Sequence, residues 1–265
     1  MNQNETNYIK FLGTAGARYV VARQLRSSAG IWINIEGDDL LIDPGPGTLV
    51  KCFSSRPKLD PMKLKAIILT HCHIDHSTDI NVMIEAMTDS GHNKGRIVIA
   101  PEETITGEPV IFSHVRPYLE RLEIMHQVTE FQITPNIQLM TPILHNHTAE
   151  TYGLKFKTPF GVISQIVDTA YFDGLLEAYE NSDLLILHVV RFKNKNDREK
   201  GILHLTVADA EKIIKHIQPK FAILTHFGMT MIRAKPWEVA KKMSYEIGVQ
   251  VIAASDGMKF DLNQM

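Results

Sequence analysis

The residues with the clearest capacity for chemistry lie at positions 69–79, in the sequence LTHCHIDHSTD. Three histidines and two aspartates occupy nine positions that begin at His71. In an extended segment, residues i and i+2 point to the same side, so His71 and His73 can present imidazoles to one metal ion while Cys72 points away. The spacing therefore predicts a metal site that does not count Cys72 among its ligands.

Asp75 and His76 lie where the chain turns toward a following helix. They can reach a second cation about 3.5–4 Å from the first, the separation usual in two-metal hydrolytic sites. Imidazole with carboxylate suits zinc, with manganese or iron as alternatives, and the lack of thiolates disfavours a closed structural zinc site. We therefore expect two divalent metal ions with positions left open for water. A solvent-facing cluster without metal is disfavoured, because the apolar run AIIL places these residues at the end of a strand.

The pattern of apolar residues predicts the elements that position this loop. LKAIILT is typical of a strand before it, and STDINVMIEAMTDSG is typical of a helix after it, with Ser77 or Thr78 as the N-cap and Gly91 as the stop. The earlier segments YIKFLGT and IWINIEGDDLLID indicate short strands. The loop therefore connects a strand to a helix in a β-rich opening half.

The rest of the chain continues this alternation. Strands are predicted over GRIVIAP, IQLMTPILH, TYGLKFKT, GVISQIVDT, DLLILHVV and KFAILTH, with a final strand pair over VQVIAASDGMKF. Helices are predicted over SHVRPYLERLE, DGLLEAYENS, TVADAEKIIKHIQ and PWEVAKKMSYEIG. Two β-rich halves, each followed by helices and joined without a linker, predict an α/β fold with two sheets face to face and helices outside. This is a four-layer αββα sandwich, expected as one domain over residues 1–265.

Composition narrows the class of protein without indicating a partner. The 265-residue chain is 44% hydrophobic, enough for a sizeable core, and its net charge of −2 gives no basic excess of the kind that marks bulk nucleic-acid binding. Two cysteines, Cys52 and Cys72, are too few for a disulfide framework. With no signal-like N-terminus and no long apolar run, we expect a cytoplasmic protein that does not span a membrane.

Several motifs resemble those of the metallo-β-lactamase-fold hydrolases. THCHIDH at 70–76 is similar to their Thr-His-x-His-x-Asp-His signature. FLGTAG at 11–16 resembles the opening of ribonuclease Z proteins and their relatives, and LLIDPGPGT at 40–48 resembles the Asp-x-Gly turn of the family. The resemblance implies the four-layer sandwich and a hydrolase that uses a hydroxide bridging two metal ions.

The resemblance also implies the remaining metal ligands. A third histidine is expected six residues before a glycine, a position that His147 occupies in HTAETYG, with His145 as the competitor. QIVDTAY supplies Asp168 as the bridging carboxylate, although a valine here replaces the glycine that precedes it in the family, and FAILTHFG supplies His226. The implied set is His71, His73 and His147 for the first metal, Asp75, His76 and His226 for the second, and Asp168 between them.

Two catalytic roles follow from the same resemblance. Asp75 would both ligate a metal and orient the bridging hydroxide. GILHLTVADAEKII is similar to the family motif that supplies a proton to the leaving group, which makes His204 the candidate general acid, with helix capping as its alternative role. Relatives carry an acidic partner for that histidine where this chain has His188. His204 could therefore be less basic here, or His188 could contact the substrate.

The motifs favour a phosphodiesterase that acts on a small or cyclic phosphodiester, and two alternatives stay open. One is tRNA 3′ processing, as in ribonuclease Z, whose tRNA-gripping arm is inserted between the third histidine and the bridging aspartate. Only 20 residues separate His147 from Asp168, so the arm is missing from that position. The other alternative is a carbon ester or lactone hydrolase on the same metals. The resemblance also makes a homodimer an expectation.

Basic residues outside the metal loop have open roles. Arg18, Arg23 and Arg26 follow the GTAG turn and could meet a substrate phosphate or simply be solvated, and the same holds for Arg233. The charged stretch VRFKNKNDREKGI, residues 190–202, is expected to be a solvated excursion, with contact to substrate phosphates as the alternative.

Overall fold

The computed structural model describes residues 6–28, 30–193 and 201–265, and their strands form two seven-stranded sheets. The first sheet consists, in spatial order, of β14 (Lys259–Asp261), β1 (Tyr8–Phe11), β2 (Ile31–Ile35), β3 (Asp38–Ile42), β4 (Leu64–Ile68), β5 (Ile97–Pro101) and β6 (Arg121–Met125). The second consists of β13 (Gln250–Ala253), β12 (Phe221–Thr225), β11 (Leu184–His188), β10 (Gly161–Ile166), β9 (Leu154–Thr158), β8 (Ile137–Thr141) and β7 (Thr129–Thr134).

Four neighbouring strands in each sheet run parallel. They are β3 to β6 in the first sheet and β10 to β13 in the second. The apolar sequences LLILH of β11 and FAILT of β12 are almost fully buried, because strands covered on both faces need apolar residues throughout. In a parallel set all carboxyl ends meet at one edge, so the loops that follow β4, β10, β11 and β12 can converge.

Helices cover the outer faces of the two sheets. The described residues contain the helices α1 (Ala17–Ala22), α2 (Thr48–Ser54), α3 (Ile74–Ser77), α4 (Ile80–Thr88), α5 (Gly174–Ala178), α6 (Val207–Ile217), α7 (Met229–Arg233) and α8 (Pro236–Ile247). Met83 and Ile84 of α4 pack in the outer core of the first sheet, and Ile213 of α6 and Met243 of α8 in that of the second. The predicted four-layer αββα sandwich is confirmed. No helix in the part of the chain that is described has the length and apolar character needed to cross a membrane.

A further apolar cluster lies between the two sheets. It joins Ile33 and Ile68 of the first sheet to Ile186 and Ile223 of the second, each at most 1% exposed. Burial of one such side chain stabilises the fold by about 1.5–3 kcal/mol. These contacts fix one sheet against the other, and with them the loops at the sheet edges.

The elements differ from the sequence prediction at several places, and β7, α1, α2 and α7 have no counterpart in it. SHVRPYLERLE, predicted as a helix, contains a short 3-10 turn (Arg116–Tyr118) and then β6, because its end completes the parallel edge beside β5. Helix α4 begins after Asp79 and not after Ser77 or Thr78, since the Ser77 hydroxyl donates to two backbone carbonyls of the preceding loop. The final strand pair is no hairpin, because β13 and β14 belong to different sheets.

The charged stretch at 190–202 is described only at its ends. Arg191 forms a β-bridge with Thr206, and the Lys193 ammonium lies 5.7 Å from the ring centroid of Phe192. The charged residues of the stretch that lie outside the described residues are Lys195, Asp197, Arg198, Glu199 and Lys200. The solvated excursion therefore stays a prediction.

Candidate metal centre

The predicted metal ligands come together at the carboxyl ends of strands from both sheets. His71 lies three residues past β4, Asp168 two residues past β10, and His226 directly after β12. His147 enters from the connection between β8 and β9. The carboxyl edges of parallel strands are the usual place for sites in α/β folds. Because the core between the sheets fixes these edges, it also fixes the distances between the four loops.

The first group of ligand-type side chains consists of His71, His73 and His147. Their ring nitrogens lie within 4.8 Å of one another. Nε2 of His147 is 3.1 Å from Nδ1 of His73, and Nδ1 of His147 donates to the carbonyl of Leu203 at 3.1 Å. Since a carbonyl can only accept, the proton of His147 is on Nδ1, and Nε2 turns its lone pair toward the other rings. Three such nitrogens are the donor set of one zinc-type ion.

Asp168 lies between this group and a second one. Its side chain is 3% exposed, and the nearest imidazole atoms are Nδ1 of His188 at 3.0 Å and Nε2 of His226 at 3.3 Å from Oδ1. At Oδ2, the neighbours are Nε2 of His76 at 3.7 Å, Nδ1 of His204 at 3.7 Å and Nε2 of His147 at 3.9 Å. One carboxylate thus touches the first group through His147 and the second through His76 and His226.

The second group consists of His76, Asp168, His188 and His226, whose ligand-type atoms lie within 4.8 Å of one another, and Asp75 lies beside this group on its more open side. Its Oδ2 atom is 3.8 Å from Nε2 of His76 and 3.7 Å from Nε2 of His226. The Asp75 side chain is 15% exposed, against 3% for Asp168. Asp75 therefore faces both the imidazoles and the solvent that reaches the site.

Several buried imidazole nitrogens in this cluster lack a hydrogen-bond partner. Among the described residues, Nε2 of His71, His76 and His226 forms no hydrogen bond of normal geometry, although Oδ1 of Asp168 lies 3.3 Å from Nε2 of His226. An unpaired buried polar group costs about 1–3 kcal/mol, and native proteins rarely leave such groups together. Cations at the two groups would give each of these nitrogens a partner, and the imidazole and carboxylate donors suit zinc, with manganese or iron as alternatives. The residues present therefore fit a pair of divalent metal ions.

The cluster shifts the pKa values of its own members. Burial favours the neutral form of Asp168, but the neighbouring imidazoles, His226 foremost, outweigh it and hold the pKa of this carboxyl well below its usual range. Burial also opposes protonation of His76, yet the carboxylates beside it, Asp75 foremost, raise its pKa well above the usual value. For His71 burial dominates and lowers the pKa well below normal. An ionised Asp168 and a neutral His71 are the forms that bind metal, whereas His76 would have to release a proton when a cation binds.

Asp43 supports the metal loop from behind, a role that its sequence position alone did not predict. Its Oδ1 atom accepts from the backbone N–H of Thr70 at 2.7 Å, and Oδ2 accepts from the Thr70 hydroxyl at 2.8 Å. Oδ2 also accepts from Nδ1 of His76 at 2.9 Å, which leaves Nε2 of His76 for a metal. Asp43 is the aspartate of LLIDPGPGT, so the family-like turn was the signal that could have indicated it.

His188 lies at the base of the site and holds Asp168. It is 4% exposed, and its ring stacks on that of His226 with centroids 4.4 Å apart. Its Nδ1 atom donates to Oδ1 of Asp168 at 3.0 Å, while Nε2 accepts from the side-chain amide of Gln165 at 3.0 Å. Burial lowers the pKa of His188 to about 4, so it is a neutral donor. This position does not support the hypothesis that His188 contacts the substrate. The only sequence signal for its role was that it stands where relatives have an acidic residue.

Replacing His188 by alanine is expected to weaken metal binding at the second group by about 10–100-fold, because Asp168 loses the donor that orients it. Binding at the first group should change far less. Zinc titration by calorimetry, with cobalt substitution to follow each site by its absorption spectrum, measures both affinities. His216→Ala, at an exposed histidine of α6, is the matched control. Unchanged zinc affinities in His188→Ala would contradict the positioning role.

The structure separates the two competing histidines before Gly153. His147 joins the first group, whereas Nε2 of the buried His145 lies 2.8 Å from the Tyr179 hydroxyl. Cys72 also stays outside both groups, since its thiol donates to the Glu103 carboxylate at 3.5 Å. The geometry thus favours His147 as the ligand and agrees with the exclusion of Cys72.

The arginines after the GTAG turn have different surroundings. Arg26 donates to the Thr14 hydroxyl at 2.8 Å and to the Ala254 carbonyl at 3.3 Å. Arg23 stacks over the Tyr19 ring at 4.9 Å. Arg26 is therefore part of the internal packing around the turn and unsuited to bind a substrate phosphate.

Two glycines let neighbouring loops reach the predicted metal ligands. A Cβ atom on Gly16 would collide with the backbone of His226, and one on Gly45 would collide with the carbonyl of Asp75. Only glycine permits such close approach of two backbones. The glycines of FLGTAG and LLIDPGPGT therefore allow these loops to pack closely around the site.

Comparison with known proteins gives consistent results over most of the chain. The sequence model of the family described as Beta-lactamase superfamily domain matches residues 39–227. An uncharacterized protein of Methanocaldococcus jannaschii is 28% identical over 262 residues, which cover 96% of this chain and 94% of that protein. Ribonuclease Z of Borreliella afzelii is 23% identical, with 97% of each protein covered. The crystal structure of a diphosphatase from the PhnP family superposes with a TM-score of 0.68 at 18% identity, covering 96% of each chain.

Proposed function

The chain belongs to the β-lactamase superfamily domain family, hydrolases with the metallo-β-lactamase fold, and on that premise we propose a two-metal phosphodiesterase for a small or cyclic phosphodiester. The observation that supports this most is Asp168, one carboxylate between two groups of histidines with unpaired buried nitrogens. Paired cations suit displacement at phosphorus because they can hold both the attacking and the leaving oxygen. A ribonuclease and a diphosphatase among the similar proteins favour the same reaction class.

The chain would bind the metals through the residues implied by its motifs. The proposed ligands are His71, His73 and His147 for one ion, Asp75, His76 and His226 for the other, and Asp168 for both. When bound, two divalent cations supply an acidified water and neutralise charge on the phosphoryl oxygens. Asp43 and His188 would keep His76 and Asp168 in the required orientations.

Asp75 has a second proposed role as the residue that orients the attacking water. Burial would raise its pKa, but the neighbouring imidazoles of His76 and His226 outweigh burial, so its pKa is lowered and it stays ionised. An ionised carboxylate accepts hydrogen bonds only. Its partly exposed oxygen would therefore accept a hydrogen bond from the water. This bond would direct a lone pair of the water toward phosphorus.

His204 is the proposed proton donor to the leaving group. Its side chain is 16% exposed, its Nδ1 atom lies 3.7 Å from Oδ2 of Asp168, and its ring centroid is 5.2 Å from that of His147. Burial lowers its pKa, and the Asp168 carboxylate acts in the opposite direction. Burial prevails, so the pKa of His204 is lowered, and the Asp168 carboxylate 3.7 Å away offsets only part of this effect.

His204→Ala is expected to lower kcat by about 10²–10⁴-fold for a dialkyl phosphodiester, because an alkoxide leaves poorly without a proton. With a p-nitrophenyl ester, whose leaving group needs little protonation, the loss should be far smaller. The measurement is kcat for both substrates in wild type and variant at saturating metal. Equal losses on both substrates would contradict the role as general acid, and His114→Ala, at an exposed histidine, controls for a general effect of the substitution.

A substrate panel tests the proposed function as a whole. It contains bis(p-nitrophenyl) phosphate, cyclic nucleotides, phosphoribosyl cyclic phosphate, precursor tRNA, a β-lactam and a lactone. We expect turnover of the small phosphodiesters. Precursor tRNA should be a poor substrate, because β9 and β10 occupy the chain between His147 and Asp168 where an arm would be inserted. Turnover of the lactone alone would refute the phosphodiesterase and favour the carbon ester alternative.

A further inference from the structure

An open pocket is partly lined by residues that lie one or two positions from His147, Asp168 and His204 in the sequence. Its volume is about 460 Å³, and its lining consists of Asn146, Ala170, Tyr171, Phe172, Asp173 and Leu203. None of these residues was assigned a role from the sequence. The size is in the range of pockets that bind small organic molecules.

The pocket shares its wall with the metal centre. Asn146 immediately precedes His147, and its carbonyl accepts from the backbone N–H of Ala170 at 2.9 Å. The carbonyl of Leu203 accepts from Nδ1 of His147 at 3.1 Å, and Leu203 immediately precedes His204. The backbone that carries the proposed ligand His147 and the proposed proton donor His204 therefore also carries part of the pocket lining.

The location of the pocket indicates which part of the substrate it would bind. In displacement at phosphorus, the leaving oxygen departs opposite the attacking water and must lie within reach of its proton donor. With Asp75 on the water side and His204 as the donor, the leaving oxygen would lie next to His204. The remainder of the leaving group would then reach past Leu203 into the pocket.

The lining favours an uncharged group with a flat ring. Tyr171 and Phe172 present half-buried rings, and Leu203 adds apolar surface. Asp173 accepts from the Tyr171 hydroxyl at 2.7 Å and from the Lys212 ammonium at 3.2 Å, and that ammonium lies 4.3 Å from the Tyr171 ring centroid. The charges of the Asp173 carboxylate and the Lys212 ammonium cancel. The lining therefore offers no net positive charge to a second phosphate.

We propose that this pocket binds the leaving group of the phosphodiester and that this leaving group is an uncharged ring-bearing alcohol of the nucleoside class. A base can stack on Phe172, as bases do on aromatic side chains, and the sugar hydroxyls can donate to Asp173 or the Asn146 amide. The inference rests on the proposed phosphodiesterase function and adds to it the substrate class. The same lining, which includes the Asp173 carboxylate, disfavours a polyanionic leaving group.

A mixed diester of phosphate with methanol and the 5′-hydroxyl of deoxyadenosine tests the proposal. Water attack gives either deoxyadenosine and methyl phosphate or methanol and deoxyadenosine 5′-phosphate, and chromatography separates the products. We expect the release of deoxyadenosine to exceed the release of methanol about tenfold. This is the factor that one base–aromatic stacking contact provides. Phe172→Leu, which keeps apolar volume but removes the ring, should bring the ratio close to one. Tyr245→Ala, at an aromatic residue that is 91% exposed on α8, should keep the wild-type ratio.

Binding of deoxyadenosine to the zinc-loaded protein, measured by calorimetry, separates this inference from the proposed function. Affinity that falls about tenfold in Phe172→Leu but not in Tyr245→Ala supports the pocket even if no phosphodiester is cleaved. Cleavage with equal release of both alcohols overturns the pocket assignment and leaves the phosphodiesterase standing. Absence of deoxyadenosine binding, with folding of each variant checked by circular dichroism, also overturns it.

Discussion

Asp168→Ala is expected to abolish hydrolysis, with a fall in kcat/KM of about 10³-fold or more. The carboxylate is 3% exposed and has imidazole atoms of His188 and His226 at 3.0 and 3.3 Å. Its removal takes the negative charge out of a buried cluster of histidines and deletes the proposed ligand that both metals share. Bound zinc should fall together with activity, which calorimetry and elemental analysis of the purified variant measure.

Asp168→Asn separates the charge from the shape of this residue. The amide keeps the size of the carboxylate but cannot carry its charge, so it should lose activity and metal nearly as fully as Asp168→Ala. Glu177→Ala, at an exposed acidic residue of α5, should keep both. Hydrolysis that survives in Asp168→Ala with both zinc ions bound would refute the shared-ligand mechanism.

Removal of metal is expected to lower the melting temperature of the protein by about 10 °C. A ligand at 1,000 times its Kd stabilises the folded state by about 4 kcal/mol, and each kcal/mol corresponds to about 2–4 °C in a chain of this size. The physical reason is the set of unpaired nitrogens on His71, His76 and His226, which lose their partners without metal. Scanning calorimetry before and after a chelator, and after zinc is restored, measures the shift.

Two controls define the origin of that shift. Magnesium, a hard cation that prefers oxygen ligands, should restore much less of the melting temperature than zinc. The His114→Ala variant should respond to the chelator as the wild type does, because His114 is exposed and lies outside both groups. A melting temperature that the chelator leaves unchanged would show that the folded state does not depend on metal, contrary to the fit of the site.

The metal loop could be predicted from sequence because its chemistry is local. His71 and His73 share a side in any extended chain, and the strand before them places them at a sheet edge. The distant residues His147, Asp168 and His226 had no such local reason and depended on motifs that resemble a family. The geometry groups them with the loop, while His145, two residues before His147, bonds to Tyr179 instead.

Other features could not be predicted because they depend on which segments meet in space. The contacts of Asp43 with His76 and of His188 with Asp168 join residues on different strands, and no spacing rule connects them. Arg26 could equally have been solvated, and only the structure shows that it bonds to Thr14 and Ala254. Apolar pattern likewise predicted the last two strands but could not assign them to opposite sheets.

The division of the metal groups between the two sheets has a consequence for how the protein matures. His71 and His73 follow a strand of the first sheet and His147 follows one of the second, and the second group is divided in the same way by His226. Neither half of the chain alone supplies either proposed ligand set, so we expect tight zinc binding only after the two halves have docked. Zinc uptake during refolding should therefore report the last step of assembly.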